Sequence, residues 1–406
     1  MARSALDIPD FRRLTTARFL LSFASQVQTL VMAWQVYSIT HDPLALGLIG
    51  LAEAVPALTV ALVSGDIVDR SNPLKVYKNV IRGIFASCVV LLAASSHALA
   101  LPDHARVLAI YAAAFIAGSA RGFGQPATYS LVPQMVAREE LSVSAAWVTV
   151  AFQVGSVIGP GLGGVLYAWK GAMLPYCVDA ALLIGAMLSA AAIELEPKIA
   201  PTGAGTPFAR ATEGLRYVFA HDLLLPALAL DMFAVLFGGV EAILPIFAGD
   251  ILKIGATGLG LLQASASIGA LIGSAAMVRL PPKRAAGKLL LVCVTGFGFC
   301  MIGFGLSRVP ALSMALLAVG GALDSVSMVI RGSIVQMFSP DEMRGRISAV
   351  NSIFIGVSNE LGAFESGAAA KLLGTVPSVV AGGCVTLLTV AGAALFSPKL
   401  REMDLT

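Results

Sequence analysis

The chain is 406 residues long, 57% apolar and 13% charged, with a formal net charge of +3. Soluble domains run at roughly 45–50% apolar and about 25% charged residues, so this composition excludes an ordinary water-soluble protein and points to a membrane protein. So small a net charge, with no basic patch interleaved with aromatics, sets nucleic-acid binding aside.

The N-terminal MARSALDIPDFRRL is charged and has no apolar stretch followed by a cleavage site, so the first apolar segment is expected to be retained. Crossing about 30 Å of hydrocarbon takes about 20 helical residues. Twelve segments qualify: 14–39, 44–66, 79–101, 105–131, 141–168, 172–193, 223–249, 256–278, 288–306, 309–332, 345–370 and 376–396. Runs this long must satisfy their own backbone hydrogen bonds, and the alternating pattern of barrel strands is absent. The expected fold is an all-α polytopic membrane protein with twelve transmembrane helices.

The longest polar segment, Glu194 to Asp222, divides the spans six and six. The predicted domains are a six-helix bundle over 1–193, a linker over 194–222 and a second six-helix bundle over 223–406. An offset of 202 residues aligns Gln134-Met135 with Gln336-Met337, Glu140 with Glu342 and Phe152 with Phe354, and an offset of 203 brings Gly159 over Gly362 and Gly164 over Gly367. These coincidences share one place in each half, as in the duplicated units of secondary transporters. Cys88, Cys177, Cys293, Cys300 and Cys384 lie in apolar runs without metal-site spacing and read as core thiols. His41, His97, His104 and His221 fall near span ends and read as interfacial.

With the N-terminus in the cytoplasm, five Lys and Arg residues fall outside (Arg106, Lys170, Lys253, Arg308, Lys371) and Arg121 falls within a span. The other 21 of the 27 fall on the cytoplasmic side. That bias predicts both termini to be cytoplasmic.

GDIVDRSNPLK, from Gly65 to Lys75, follows the second span, and its Gly65, Asp69 and Arg70 form a Gly-xxx-Asp-Arg turn. Twelve spans in two halves with this turn resemble the major facilitator superfamily. The resemblance implies a cytoplasmic latch at Gly65, Asp69 and Arg70, although Pro73 and Leu74 interrupt the basic part of the family pattern. In the fifth span, Gly155, Gly159, Pro160, Gly163 and Gly164 form GxxxGPxxGG, which resembles the exporter-type helix motif. The alternative is ordinary helix packing by small residues. SARGFGQPA (Ser119 to Ala127), SPDEMRGRISAVNS (Ser339 to Ser352) and SNELGAFESG (Ser358 to Gly367) are similar to the drug and siderophore exporter branch, which includes macrolide and enterobactin exporters. That branch implies a bacterial cytoplasmic (inner) membrane protein, monomeric, without cofactor, coupled to protons.

Ionisable side chains at membrane depth are costly and therefore candidates for function. In the superfamily fold the first, fourth, seventh and tenth spans line the cavity, which brings forward Arg121, Asp231, Glu241, Asp324 and Arg331. Asp231 and Asp324 are candidates for a proton-sensitive cluster with Arg331, since burial and a neighbouring arginine act oppositely on a carboxyl; a fixed salt bridge is the other reading. Glu53 and Glu365 form a second candidate, a carboxylate pair sharing one proton, with Glu360 beside it. Asp179, on a span outside the cavity, reads as structural. Gln28, Trp34, Phe123 and Phe237 are substrate-contact candidates, suited to an amphipathic organic molecule.

The expected function is proton-coupled efflux of a small amphipathic compound, a drug or siderophore, by alternating access. A proton-coupled importer of a small metabolite shares the fold. A membrane-embedded lipid-modifying enzyme would need a nucleophile and base that no loop supplies, and a channel would need a filter segment.

Overall fold

In the computed structural model, residues 5–96, 99, 101–196, 207–280, 285–340 and 343–404 are described. Nearly all of them are helical. The first six long helices are α1 (Pro9–Thr40), α2 (Pro43–Arg70), α3 (Pro73–Ser95), α4 (Asp103–Met135), α5 (Leu141–Lys170) and α6 (Met173–Ala191). After them come α7 (Pro207–Ala220) and α8 (Leu224–Gly238), then a 3-10 turn (Glu241–Ile243), the short α9 (Leu244–Ile246) and a π turn (Phe247–Ile251). The chain ends with α10 (Gly255–Arg279), α11 (Ala286–Leu306), α12 (Pro310–Phe338), α13 (Arg344–Leu373), α14 (Thr375–Phe396) and α15 (Pro398–Arg401).

Local sequence explains the boundaries. Proline opens α1, α2, α3, α7, α12 and α15, where its missing N–H removes only a donor that the first turn leaves unpaired. At α3, Asn72 completes the start by accepting from the Leu74 and Lys75 amides at 3.0 and 3.1 Å. Gly171 ends α5 and Gly374 ends α13 with φ of +66° and +92°, conformations that favour glycine.

Among the described residues, ten helical segments are long and apolar enough to cross a membrane. The remaining two long helices are α1, with 32 residues, and α13, with 30. They carry the polar residues the apolar helices lack: Arg12, Arg13, Arg18 and three glutamines on α1, and Arg346, Asn351, Asn359, Glu360 and Glu365 on α13. Outward faces are apolar, with Leu108, Ile272, Val292, Phe299 and Leu388 between 61% and 70% exposed. Such a surface matches lipid rather than water. Cys177 and Cys384 belong to it, so the expectation of five core thiols holds only for Cys88, Cys293 and Cys300.

The seventh span departs from the sequence reading. The predicted single helix over 223–249 is broken after Gly238, because Gly239 turns to an extended conformation (φ −66°, ψ 136°). Asp231 and Glu241 therefore do not share one continuous helix. The freed Gly239 carbonyl is taken by the Ser366 hydroxyl at 2.8 Å, which removes the cost of an unpaired backbone group. The segment 194–222 also contains α7.

The chain divides into two compact units, Met1–Ile39 with Ala52–Ala204, and Thr40–Leu51 with Gly205–Thr406. The core of the first joins α1, α3, α4 and α6 around Phe11, Leu14, Tyr77, Ile81, Ile84 and Leu131. Helix α5 seats on α1 through the Gly-Pro motif: a methyl group at Gly159 would lie 2.6 Å from Gln26 Cβ, and one at Gly155 would lie 2.8 Å from the Phe23 amide nitrogen. Gly163 and Gly164 are buried. In the second unit, Gly362 of α13 approaches α8 in the same manner, and a methyl group there would lie 3.0 Å from the Leu236 carbonyl. The repeat of Gly159 by Gly362 thus corresponds to a repeated helix contact. At the Gly-xxx-Asp-Arg motif, which forms the last turn and a half of α2, Gly65 is exposed and Arg70 pairs with Asp66 at 2.7 Å. The Asp69 side chain lies outside the described ones.

Helix α7 packs in the second unit, where Glu213 pairs with Arg346 and the Tyr217 hydroxyl donates to the Phe338 carbonyl at 3.3 Å. Just beyond it, the hydrogen bond from Lys399, reinforced by its charge, holds the exposed Asp222 carboxyl below its ordinary range.

Two predictions follow from these contacts. Replacing Gly159 by leucine overpacks the α5–α1 contact, and overpacking costs about 1–3 kcal/mol; Gly161→Leu, where a methyl group meets nothing within 4 Å, serves as control. The thermal midpoint in detergent should fall for the first and hold for the second. Because the Asp222 pKa is lowered on folding, its contribution exists above the ordinary carboxylate value and is lost as pH falls through the lowered one. The stability gap between wild type and Asp222→Asn should therefore close on acidification.

Candidate functional site: two buried ion-pair clusters

Each unit holds one cluster of charge among apolar helices. In the first, Gly118 and Gly122 of α4 lie against α2: methyl groups there would come within 2.3 Å of the Glu53 carbonyl and 2.8 Å of Val60 Cγ1. That approach brings Arg121 Nη1 to 2.7 Å from Glu53 Oε2, while Nη2 donates to Thr29 Oγ1 at 3.1 Å. The guanidinium thus ties α1, α2 and α4 together. Glu53 is 6% exposed, and its Oε1 has no hydrogen-bond partner among the described residues.

In the second unit, Asp231 of α8 is ion-paired with Arg331 of α12, and both side chains are buried. Asp324, two turns before Arg331 on α12, is half-buried and lies in the field of Asp231, Arg331 and Glu241. The sequence reading joined Asp231, Asp324 and Arg331; the structure assigns the arginine to Asp231 and leaves Asp324 beside the pair. Glu241 itself is exposed, just past the break in the seventh span.

The predicted sharing of a proton between Glu53 and Glu365 is not the arrangement around Glu53, whose partner is Arg121. Glu365 belongs to the other unit, where it lines a cavity of about 10 Å³ with Phe237, Gly239, Ile243 and Ser366. A space of that size holds about one water molecule. Glu360 is half-buried on the same helix.

The proposed substrate contacts also sort out. Gln28 is fully buried and donates to Ser87 Oγ at 3.3 Å, so it joins α1 to α3 inside the unit. Phe123 packs against the same core. Trp34 rests against Tyr37 and Tyr167, with ring centres 5.2 and 6.4 Å away. Phe237 stacks parallel to Phe233 at 6.3 Å. Sequence reading missed Thr29, whose role depends on where Arg121 points; a threonine in an apolar helix carries no signal of its own.

The described side chains offer paired charges at depth, polar groups and an apolar exterior, which suits moving a solute more than cleaving one. A family model described as transmembrane secretion effector matches residues 2–406. The chain belongs to that family of major facilitator transporters. It is a transporter and not an enzyme. Curated relatives include the protein named enterobactin exporter EntS of Shigella boydii serotype 18 (strain CDC 3083-94 / BS512), 27% identical over 399 residues, covering 98% of this chain and 94% of that one. The same figures hold for the protein so named in Escherichia coli O139:H28 (strain E24377A / ETEC).

Solved structures share the fold. A POT family transporter in complex with 5-aminolevulinic acid superposes with a TM-score of 0.80 at 11% identity, over 96% of both chains. A bacterial homologue of the iron transporter ferroportin gives 0.72 at 16% identity, over 99% of this chain and 100% of that one. The major facilitator architecture expected from the Gly-xxx-Asp-Arg turn and the twelve spans is therefore the fold of this chain.

Removing one partner of a buried pair costs about 3–5 kcal/mol, because the other charge stays behind. Arg331→Met should lower the thermal midpoint more than the double variant Asp231→Asn/Arg331→Met, which removes both charges. Equal losses would show that the pair is not buried as a unit.

Proposed function

We propose that this transporter exports a siderophore or a similarly amphipathic organic compound by proton-coupled alternating access. The observation that carries the reading is the relation to enterobactin exporters over 98% of this chain and 94% of theirs. The Gly-Pro motif seated on α1 supports the export direction, since it matches the exporter-type pattern.

In this reading the protein is a monomer of the bacterial inner membrane, with both termini cytoplasmic and no nucleic-acid partner. The Lys and Arg bias supports that orientation. Compound enters from the cytoplasm or the inner leaflet, and protons moving inward drive its release outside. Coupling requires that compound and proton favour different conformations by their differential affinity. Asp231, Asp324 and Arg331 suit this role in the second unit, and Glu53 with Arg121 in the first. Protonating Asp231 or Glu53 would free an arginine, and an unpaired buried charge is the kind of imbalance that shifts a two-state equilibrium. Glu365, Glu360 and Glu241 remain secondary proton-coupling candidates. Gly65, Asp69 and Arg70 act as the cytoplasmic latch, while Trp34 and Phe237 offer aromatic surface to the compound.

The test is uptake of labelled catecholate siderophores and hydrophobic drugs into inverted vesicles with an interior-acid pH gradient. Accumulation should vanish when the gradient is collapsed, and Asp324→Asn should lose most of it. Accumulation indifferent to the gradient would overturn proton coupling, and full gradient-driven activity in Asp324→Asn would remove that residue from the proton path.

A further inference from the structure

A second kind of buried charge lies in the first unit, away from the Glu53–Arg121 pair. Asp179 of α6 is 0% exposed, and neither carboxyl oxygen has a hydrogen-bond partner among the described residues. The buried carboxylates Glu53 and Asp231 each have an arginine in contact. Asp179 has none.

Its surroundings are polar but occupied. The Cys88 thiol of α3 is next to the carboxyl, and its single proton is shared between that carboxyl and the Tyr176 carbonyl, 3.4 Å from the sulfur. The Tyr176 hydroxyl donates to Gln35 Oε1 at 3.1 Å, and Gln35 Nε2 donates to Ser95 Oγ at 3.1 Å. Arg121 of α4 acts on Asp179 only through its field, since its donors face Glu53 and Thr29. Tyr167 of α5 stands behind Tyr176, Cys177 stands beside Cys88, and α1 contributes the uncharged Gln35. Among the described residues the Cys88 thiol, shared with the Tyr176 carbonyl, is the one donor beside that carboxyl, and a carboxylate so poorly solvated is costly, whereas the neutral acid is tolerated.

We infer that Asp179 is a proton-binding site, distinct from both ion-pair clusters. It lies six residues into α6, about 9 Å from the end of the helix where α3 finishes at Ser95. The Ser95, Gln35 and Tyr176 seam leads from that end towards it. Binding is a simple association: one proton from water joins one carboxylate oxygen, with no other bond made or broken. Use of this proton in a transport cycle rests on the coupling proposed above, but its binding does not.

Infrared difference spectra between acid and alkaline pH, on the full chain in liposomes with carboxyl-labelled aspartate, test the site. Wild type should show a carboxylic-acid band that moves on labelling. The band should disappear in Asp179→Asn and persist in Asp231→Asn/Asp324→Asn. Absence of any label-sensitive acid band in wild type overturns the proposal without requiring a variant to fold, as does a band retained in Asp179→Asn. Cys88→Ala provides an independent check, because removing the neighbouring thiol should shift the band, and an unmoved band counts against the assignment. Vesicle transport that ignores the pH gradient would defeat the coupling reading and leave the spectroscopic result standing.

Discussion

The cost of charge in hydrocarbon governs this molecule. With no water to solvate them, ionised side chains at depth must be matched inside the protein. Arg121 answers Glu53 in the first unit and Arg331 answers Asp231 in the second. Each arginine joins helices that are distant in sequence, so the same contact that neutralises charge also fixes how the bundle is assembled. A change in protonation at either pair is therefore also a change in packing.

Close backbone approach sets the arginine-bearing helices against their neighbours. Gly118 and Gly122 let α4 reach α2, and Gly321 lets α12 reach the Ala266 carbonyl of α10. Gly118 and Gly321 are 203 residues apart, the offset that also relates Gly159 to Gly362. At this offset Arg121 falls over Asp324. The glycine contacts recur in both units while the charged positions differ, so the two units share a helix-packing scaffold and differ in the chemistry placed on it.

Sequence reading recovered what depends on composition and local pattern. Span positions follow from apolar length, and helix starts at Pro43, Pro73 and Pro310 follow from proline geometry. The candidate charges were also legible, because an ionisable residue in an apolar run stands out. Their partners were less so: Glu53 was matched to Glu365, and Asp231, Asp324 and Arg331 were grouped without saying which carboxylate takes the arginine, since pairing depends on helix rotation and tilt, which apolar runs do not specify. Gln28 looked like a cavity group for the same reason, although it faces Ser87. The break after Gly238 was missed because two glycines in a membrane helix serve equally well for packing and for a bend.

That break has a mechanical consequence for a protein that lives in bilayers of varying thickness. Helix α12 is one rod of 29 residues, about 44 Å long, and meets a thinner membrane only by tilting. The segment from Leu224 to Ile251 is two pieces around Gly239, whose carbonyl is already held by Ser366. There the chain has already left helical geometry, with the Gly239 amide still held by the Val235 carbonyl at 2.9 Å. The Asp231–Arg331 pair therefore links a jointed segment to an unbroken helix, two elements that accommodate hydrophobic mismatch in different ways.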